Sequence, residues 1–195
     1  MSPGLLIVVS GPAGVGKGTV VSLARERDRD VIFSVSATSR SPRPGEIDGR
    51  NYFFVTRERF EEMIQENDLL EWVEYCGNYY GTPKAYVKTE LEKGRNVLLE
   101  IDVEGANNIK KQYPECILVF IMPPSLEELR NRITKRGTES PEVIESRLAR
   151  AEKEMKYSVL YDHIIVNQTI EEAAEQFLKI IRKERRKSAK QDKKK

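Results

Sequence analysis

A glycine-rich loop near the amino terminus has residue types and a spacing that predict phosphate binding. Its glycines permit a tight turn in which successive backbone N–H groups point at an anion, and the helix that follows adds the positive end of its dipole. The ammonium group of Lys17 can then hold the β and γ phosphates of a nucleotide. We predict a nucleotide-phosphate site, rather than a glycine-rich turn without a ligand, made of Gly11, Pro12, Ala13, Gly14, Val15, Gly16, Lys17, Gly18 and Thr19.

The same loop departs from the common pattern at the position that usually helps to bind a metal ion. That pattern places Ser or Thr directly after the lysine, whereas this chain has Gly18 there and Thr19 one residue later. Asp102 follows an apolar run, and a carboxylate at a strand end beside a phosphate loop can orient Mg²⁺. We therefore expect Mg²⁺ near Thr19 and Asp102, bound directly or through water. An ordinary strand-end acid is the alternative interpretation of Asp102.

Two arginines three residues apart predict a second anion site. Arg40 and Arg43 lie in a proline-marked segment, and paired guanidinium groups bind a phosphate dianion through forked hydrogen bonds. The segment at residues 78–83, NYYGTP, supplies phenol and hydroxyl groups able to complete such a pocket. Taken alone, the arginine pair would more often belong to an ordinary basic surface loop.

The composition of the 195-residue chain limits the classes of protein to which it can belong. With 39% hydrophobic and 33% charged residues, it is too apolar for a disordered chain and long enough for one domain. No window approaches the roughly 18 apolar residues that a membrane helix needs, and the amino terminus lacks a signal-peptide pattern. One histidine and the separated Cys76 and Cys116 do not indicate a zinc site or a disulfide framework. We expect a soluble protein of a reducing compartment.

Positive charge is concentrated at the carboxyl terminus. Residues 182–195 include nine basic and two acidic residues, although the whole chain has a net charge of only +2. A nucleic-acid binder usually carries its positive charge on the folded domain. We therefore predict a fraying helix end and a disordered basic tail over residues 185–195, with an RNA- or membrane-binding arm as the alternative.

Short apolar runs that alternate with helical patterns would position these candidate sites. Buried strands are predicted at residues 5–9, 31–35, 97–101, 117–122 and 163–166. Helices are predicted at residues 19–27 and 57–65, and after start signals at Ser125, Ser140 and Thr169. This alternation predicts a three-layer α/β fold with a mainly parallel central sheet. Residues 36–86 and 134–141 interrupt it, which suggests an inserted lobe and a smaller flap.

Five segments in order make the chain resemble the guanylate kinase family: the glycine loop, residues 36–52, 71–82 and 100–105, and Arg136-Gly137-Thr138-Glu139. The resemblance covers residues 4–184. It implies a P-loop NTPase fold with a core at residues 4–35, 88–124 and 148–184, a GMP-binding lobe at residues 36–87 and a small lid at residues 125–147. It also implies transfer of the γ-phosphoryl group of ATP to GMP or dGMP, with Mg²⁺ accompanying ATP.

The resemblance further implies roles for individual residues. The GMP phosphate would be held by Arg40, Arg43, Tyr52 and Tyr80, and the guanine would be surrounded by Ser36, Glu71, Thr82 and Asp102. ATP would be contacted by the glycine loop, Arg132, Arg136 and Asn167. The residues implied in the transfer itself are Lys17, Arg40, Arg136 and Arg147. On its own, without the family, Glu71 would be interpreted as a solvent-facing strand residue.

Two other functions share parts of this pattern. Another nucleoside-monophosphate kinase, for instance one acting on AMP, would also have the phosphate loop, but Glu71 and the pair Arg40 and Arg43 favour GMP. Guanylate-kinase-like scaffold domains bind phosphorylated peptides and typically lack a working phosphate loop, whereas this chain retains Lys17. We therefore expect a cytoplasmic enzyme that uses ATP and GMP, requires no membrane or nucleic acid, and is a monomer or a homodimer.

Overall fold

Strands and helices follow one another along the chain in a largely alternating order. The computed structural model describes residues 4–75, 77–135 and 140–192. Its strands are β1 (Leu6–Ser10), β2 (Val31–Phe33), β3 (Ala37–Thr38), β4 (Phe53–Phe54), β5 (Leu69–Tyr75), β6 (Asn78–Pro83), β7 (Asn96–Glu100), β8 (Ile117–Met122) and β9 (His163–Val166). Its helices are α1 (Lys17–Arg27), α2 (Arg57–Gln65), α3 (Lys84–Glu92), α4 (Val103–Gln112), α5 (Leu126–Thr134), α6 (Pro141–Lys156) and α7 (Ile170–Asp192), with a 3₁₀ turn at Tyr157–Leu160.

The larger sheet has five strands in the order β2-β7-β1-β8-β9, and every neighbouring pair is parallel. In the central strand, Ile7 lies opposite Leu98 of β7 on one side and opposite Ile117 of β8 on the other. All five residues of β1 are buried. Burial on both faces explains why β1 is a continuous apolar run and not an alternating one. The predicted parallel sheet is confirmed.

Helices cover both faces of this sheet, so the fold has three layers. On one face, α1, α5, α6 and α7 pack into a core that includes Leu129 and Phe177. On the other face, α3 and α4 pack into a second core that includes Ile109 and Phe120. The carboxyl ends of the parallel strands, where loops such as residues 11–16 begin, lie at one edge of this sandwich. Ligand sites of open α/β sheets form at that edge.

A smaller mixed sheet forms a separate layer from part of the predicted insert. Its four strands lie in the order β4-β3-β6-β5, with β3 and β4 parallel and the other pairs antiparallel. Helix α2 covers one face, where Phe60 is fully buried and stacks on Tyr79 with ring centroids 5.2 Å apart. Thr56 caps α2 by accepting a hydrogen bond from the backbone N–H of Arg59. The lobe therefore has a small hydrophobic core of its own.

The predicted helix starts are confirmed. The Ser125 hydroxyl accepts from the backbone N–H of Glu128 at 3.0 Å, and the Thr169 hydroxyl accepts from the backbone N–H of Glu172 at 3.3 Å. Pro141 occupies the first turn of α6, where its missing N–H has no helical partner to lose. Helices α3 and α4 were not among the helices predicted from the sequence.

The prediction of a disordered tail from residue 185 is wrong for residues 185–192, because α7 continues to Asp192. Arg, Lys, Ala and Gln are good helix formers, so the segment can extend a helix that is already nucleated. Ion pairs also support it: Arg185 contacts Asp30 at 3.3 Å, and Lys187 contacts Glu184 at 2.7 Å. Residues 193–195 lie outside the described part of the chain.

In the described ranges, no helix is both long enough and apolar enough to cross a membrane.

Candidate active site

The glycine loop joins β1 to α1 in a conformation that requires glycine. Gly11 has φ 148°, and a Cβ atom there would lie 2.1 Å from the carbonyl oxygen of Ile121. Gly16 has φ 93°, and a Cβ atom there would lie 2.8 Å from Nδ2 of Asn167. A Cβ atom at these distances would force the Ile121 backbone or the Asn167 side chain to move. The loop is therefore pressed against β8 and the end of β9, next to the start of α1.

Lys17 is the first residue of α1 and folds back over the loop. Its Nζ donates to the carbonyl oxygen of Gly11 at 2.7 Å and to that of Pro12 at 3.2 Å. Burial lowers the pKa of Lys17, while the nearby carboxylates of Glu100 and Glu154 act in the opposite direction. A partly desolvated ammonium held by two carbonyl oxygens can exchange those partners for the oxygens of a bound phosphate.

Glu100 is a residue of this site that the sequence analysis did not single out. It ends β7 and lies close enough to Lys17 for that ammonium to lower its pKa, although burial has the larger effect and raises it. A Cβ atom on Gly18 would have Oε2 of Glu100 as its nearest neighbour, at 3.7 Å. The space beside Gly18 is thus open toward a carboxylate. An acid that ends an apolar strand two residues before Asp102 was the available sequence signal.

Arg132 and Asn167 support the glycine loop from behind. Asn167 is fully buried, and its Nδ2 donates to the carbonyl oxygen of Val15 at 2.7 Å. Arg132 donates to the carbonyl oxygen of Asn167 at 3.0 Å and to that of Val15 at 3.4 Å, and its Nε pairs with Glu128 at 2.8 Å. Arg132 and Asn167, which were both predicted to contact ATP, thus donate hydrogen bonds that hold the loop in place. Oδ1 of Asn167 is buried, and the described residues offer it no hydrogen-bond partner.

Replacing Asn167 with alanine should lower the free energy of unfolding by about 1–3 kcal/mol, because the buried carbonyl oxygen of Val15 would lose its 2.7 Å hydrogen bond and keep only the longer one from Arg132. Chemical denaturation of both proteins measures this change. Gln168→Ala is the matched control, since Gln168 is the exposed neighbour and should change the free energy of unfolding by less than about 0.5 kcal/mol. Equal stability of the two variants would contradict the supporting role of Asn167.

Glu46, which was also not predicted, holds the arginine segment. Nη2 of Arg40 donates to both carboxylate oxygens of Glu46, each at 2.9 Å. The same carboxylate accepts from the backbone N–H of Arg43 at 2.7 Å. The hydrogen bond from Arg40 lowers the pKa of Glu46, so the pair is charged at neutral pH. Arg40 is therefore held in place by its ion pair with Glu46, while the side chain of Arg43 is exposed.

Two tyrosines stand beside Arg40. The rings of Tyr52 and Tyr80 meet edge to face with centroids 6.0 Å apart, and the Arg40 guanidinium lies 5.6 Å from the centroid of Tyr52. Burial raises the pKa of Tyr52, so its hydroxyl remains a hydrogen-bond donor at neutral pH. The structure thus brings Arg40, Tyr52 and Tyr80 together as donors that suit an anion.

A cleft of about 350 Å³ lies between the two sheets. Its lining contains three of the residues implied for GMP, namely Ser36, Tyr52 and Thr82, together with Glu100 from the phosphate-loop side. Ser34 also lines the cleft, and its buried hydroxyl has no hydrogen-bond partner among the described residues. The cleft therefore joins the tyrosine and arginine group to the neighbourhood of Lys17.

Glu71 connects this cleft to the start of α4. Its Oε1 accepts a hydrogen bond from the Thr82 hydroxyl at 2.7 Å, and Oε2 lies on the side of Gly105. Burial raises the pKa of Glu71, the Thr82 hydroxyl lowers it, and the nearby Asp102 carboxylate raises it further. Asp102 caps α4 through a 2.8 Å bond from the backbone N–H of Gly105 to Oδ1. Three of the four residues implied for guanine thus lie together, and Asp102 has a structural role as well.

The raised pKa of Glu71 predicts a stability difference that depends on pH. A carboxyl whose pKa is higher in the folded than in the unfolded state stabilises the fold when protonated, and this contribution is lost as pH rises through the folded pKa. Glu71→Gln should therefore raise the melting temperature at pH 7.5, because glutamine removes a carboxylate whose ionised form is disfavoured by burial. The difference should shrink as the pH is lowered toward 4, because the carboxyl becomes increasingly protonated in both the folded and the unfolded state. Thermal unfolding at the two pH values measures it, and a variant less stable at pH 7.5 would contradict it.

Other implied residues are placed less closely around the cleft. Thr19 is exposed in the first turn of α1, and Arg147 is half-buried on α6. Arg136 lies outside the described residues. Within the ranges that the structure describes, no three His, Cys, Asp or Glu side chains form a ready-made metal site. A metal ion would therefore need further ligands, such as phosphate oxygens.

A phosphate loop on a parallel sheet, facing an arginine and tyrosine cleft in a second lobe, defines a P-loop kinase whose acceptor is itself an anion. The family model described as guanylate kinase matches residues 4–184. The chain belongs to the guanylate kinase family.

Individual guanylate kinases are similar to this chain over most of their length. The chain is 52% identical to guanylate kinase of Halalkalibacterium halodurans over 178 residues, which cover 91% of this chain and 87% of that one. It is also 52% identical to guanylate kinase of Lactococcus lactis over 181 residues, which cover 93% and 88%. The crystal structure of guanylate kinase from Anaplasma phagocytophilum superimposes with a TM-score of 0.74 at 35% identity, covering 94% of this chain and 87% of that chain.

Proposed function

We propose that this protein transfers the γ-phosphoryl group of MgATP to GMP, giving ADP and GDP. Membership of the guanylate kinase family supports the activity. The observation that carries the choice of acceptor is the half-buried carboxylate of Glu71, which is hydrogen-bonded to Thr82. Guanine has two N–H donors on one edge, at N1 and the 2-amino group, and an ionised carboxylate can accept both. Adenine has no donors at those positions. dGMP has the same edge and phosphate, so we propose it as a second acceptor.

The acceptor phosphate would bind in the arginine and tyrosine part of the cleft. Arg40 and Arg43 supply charge-assisted donors, and the hydroxyls of Tyr52 and Tyr80 supply two more. Glu46 keeps Arg40 in position before GMP arrives. Ser36 and Asp102 would complete the surroundings of the base. This arrangement would fix the acceptor oxygen in line with the donor, which is the main contribution that phosphoryl transfer asks of a protein.

The donor phosphates would bind along the glycine loop. The Lys17 ammonium would leave the carbonyl oxygens of Gly11 and Pro12 and pair with the β and γ phosphates. Arg132 and Asn167 would act chiefly by holding the loop, while Arg136 and Arg147 would approach the transferring group from the lid segment. Arginines on separate lobes can converge only when the lobes close, which also excludes water and limits ATP hydrolysis.

Mg²⁺ would enter as part of the ATP complex. The Thr19 hydroxyl and the Asp102 carboxylate are oxygen donors, which Mg²⁺ prefers. Only Oδ1 of Asp102 is used by the cap of α4. The Glu100 carboxylate near Gly18 adds negative charge that would attract the ion. The phosphates and water would supply the remaining ligands. ATP and GMP are cytoplasmic nucleotides, which supports a cytoplasmic location.

Label transfer tests the reaction itself. ATP labelled with ³²P in the γ position should give labelled GDP when GMP is present and no labelled ADP when AMP replaces it. Release of labelled inorganic phosphate at the same rate with and without GMP would contradict the proposal, because the protein would then be an ATPase.

A further inference from the structure

The last helix carries a row of cations that the site does not use. Because residues three and four apart lie on the same side of a helix, the extended α7 collects them on one face. All six are exposed, and they line one shallow surface depression. This cationic stripe consists of Lys179, Arg182, Lys183, Arg186, Lys187 and Lys190.

Repulsion between like charges within the stripe destabilises α7. Lys179 and Lys183, Lys183 and Lys187, and Arg186 and Lys190 are like-charge pairs four residues apart, an arrangement that destabilises a helix. Among the described residues, two members have ion pairs: Arg182 with Glu175 at 3.7 Å and Lys187 with Glu184 at 2.7 Å. For the other four cations, the described part of the chain offers no ion pair. Their charge is therefore available to an external anion.

The orientation of the stripe is fixed by the opposite face of α7. Phe177, Leu178 and Ile181 are at most 1% exposed and pack into the core beneath the sheet. Arg185, on the side of that face, pairs with Asp30. The six cations thus lie on the outward face of a folded helix and not on a mobile tail.

We propose that the cationic stripe binds the phosphate backbone of a double-stranded nucleic acid without sequence preference. From Lys179 to Lys190 the helix spans about 16 Å at 1.5 Å per residue, and a duplex presents a negative charge about every 1.7 Å along its axis. No aromatic residue lies in residues 179–192, so the stripe has no stacking platform for the bases of a single strand.

A membrane surface fits the stripe less well. Helices that lie on a membrane insert an apolar face into the headgroup region, but the apolar face of α7 is already occupied by the core. Beyond Ile181 the described helix has Ala189 as its one hydrophobic residue. An anionic lipid would therefore be held by charge alone, without the apolar insertion that stabilises helices on a membrane.

Binding of a fluorescein-labelled 20-base-pair DNA duplex, measured by anisotropy, tests the proposal. The stripe variant replaces Lys183, Arg186, Lys187 and Lys190 with glutamine, which keeps helix propensity and removes four charges. The control variant removes the same charge from exposed cations on other elements by replacing Arg29, Lys88, Lys111 and Lys153 with glutamine. Circular dichroism confirms that both variants are folded.

If the stripe makes about four phosphate contacts, the affinity of the unmodified protein for the duplex should fall roughly 10²-fold between 50 and 200 mM salt. At 50 mM salt the stripe variant should bind at least tenfold more weakly than the control variant. Both should phosphorylate GMP within about twofold of the unmodified protein, as should a chain lacking residues 186–195, since the stripe is solvated and separate from the site. Equal binding by the two variants would overturn the proposal. So would tighter binding to phosphatidylserine vesicles, or equal binding to a single strand of the same length.

Discussion

Replacing Lys17 with methionine should lower kcat for GMP phosphorylation by about 10²-fold or more, judged from the effect of single preorganised electrostatic groups. Methionine has a similar length but no charge, so the transferring phosphoryl group would lose its ammonium partner. The melting temperature should change little. Burial lowers the pKa of Lys17, which means that its charged form does not favour the folded state. Coupled steady-state assays with thermal unfolding separate the two effects.

Lys84→Met is the matched control for this experiment. Lys84 also donates to backbone and side-chain oxygens, at 2.5 and 2.7 Å from those of Asn67, but it lies in the other lobe, outside the phosphate loop. We expect kcat within about threefold of the unmodified protein for this variant, since Lys84 contacts Asn67 and a partly exposed charge away from the site is largely screened. A Lys17→Met protein that turns over GMP as fast as the control would remove the phosphate loop from the mechanism.

Glu71→Gln should reduce kcat/KM for GMP by roughly tenfold to several hundredfold. A glutamine side chain has one acceptor oxygen and presents its NH₂ group to the guanine edge, so at least one guanine donor would face another donor. An unpaired buried polar group costs about 1–3 kcal/mol, and more when a charge-assisted bond is lost. The KM for ATP should stay within about twofold. AMP, which lacks both donors, should remain a poor acceptor, although the variant should reject it somewhat less strongly than the unmodified protein does.

Glu74→Gln provides the control for this substitution. Glu74 lies on the same strand, is exposed and pairs with Arg57 at 3.1 Å, so the charge change is the same while the cleft is untouched. An unchanged kcat/KM for GMP in Glu71→Gln would mean that the guanine is recognised elsewhere and that Glu71 is an ordinary strand residue.

The features that the sequence predicted correctly are encoded by neighbouring residues. The five parallel strands are short β-branched runs, and the helix starts at Ser125 and Thr169 are local hydrogen bonds within three residues. The loop around Lys17 has its strand before it and its helix after it in the sequence. Helix α3 was missed because it begins after Pro83 without a side-chain cap. Helix α4 was missed because its cap, Asp102, was interpreted only as a metal and base ligand.

The features that were missed depend on residues brought together by the fold. Asn167 supports Val15 from 152 positions away along the chain, and Lys17, which follows β1, lies near Glu100 at the end of the neighbouring strand β7. Glu46 and Arg40 are closer in sequence, but no local pattern distinguishes their pair from ordinary surface charges. The tail was misinterpreted for a different reason. Its high charge favours a solvated, disordered tail, but its residues are good helix formers and Arg185 is anchored to Asp30 by an ion pair that the sequence alone does not show.

The claim that GMP is the phosphoryl acceptor is tested most directly by an ADP-release assay on the whole chain with GMP, dGMP, AMP and no acceptor in parallel. The account predicts rapid ADP release with GMP, release with dGMP, and rates with AMP close to the rate without acceptor. A rate with AMP equal to that with GMP, or ADP release that does not depend on any acceptor, would contradict it.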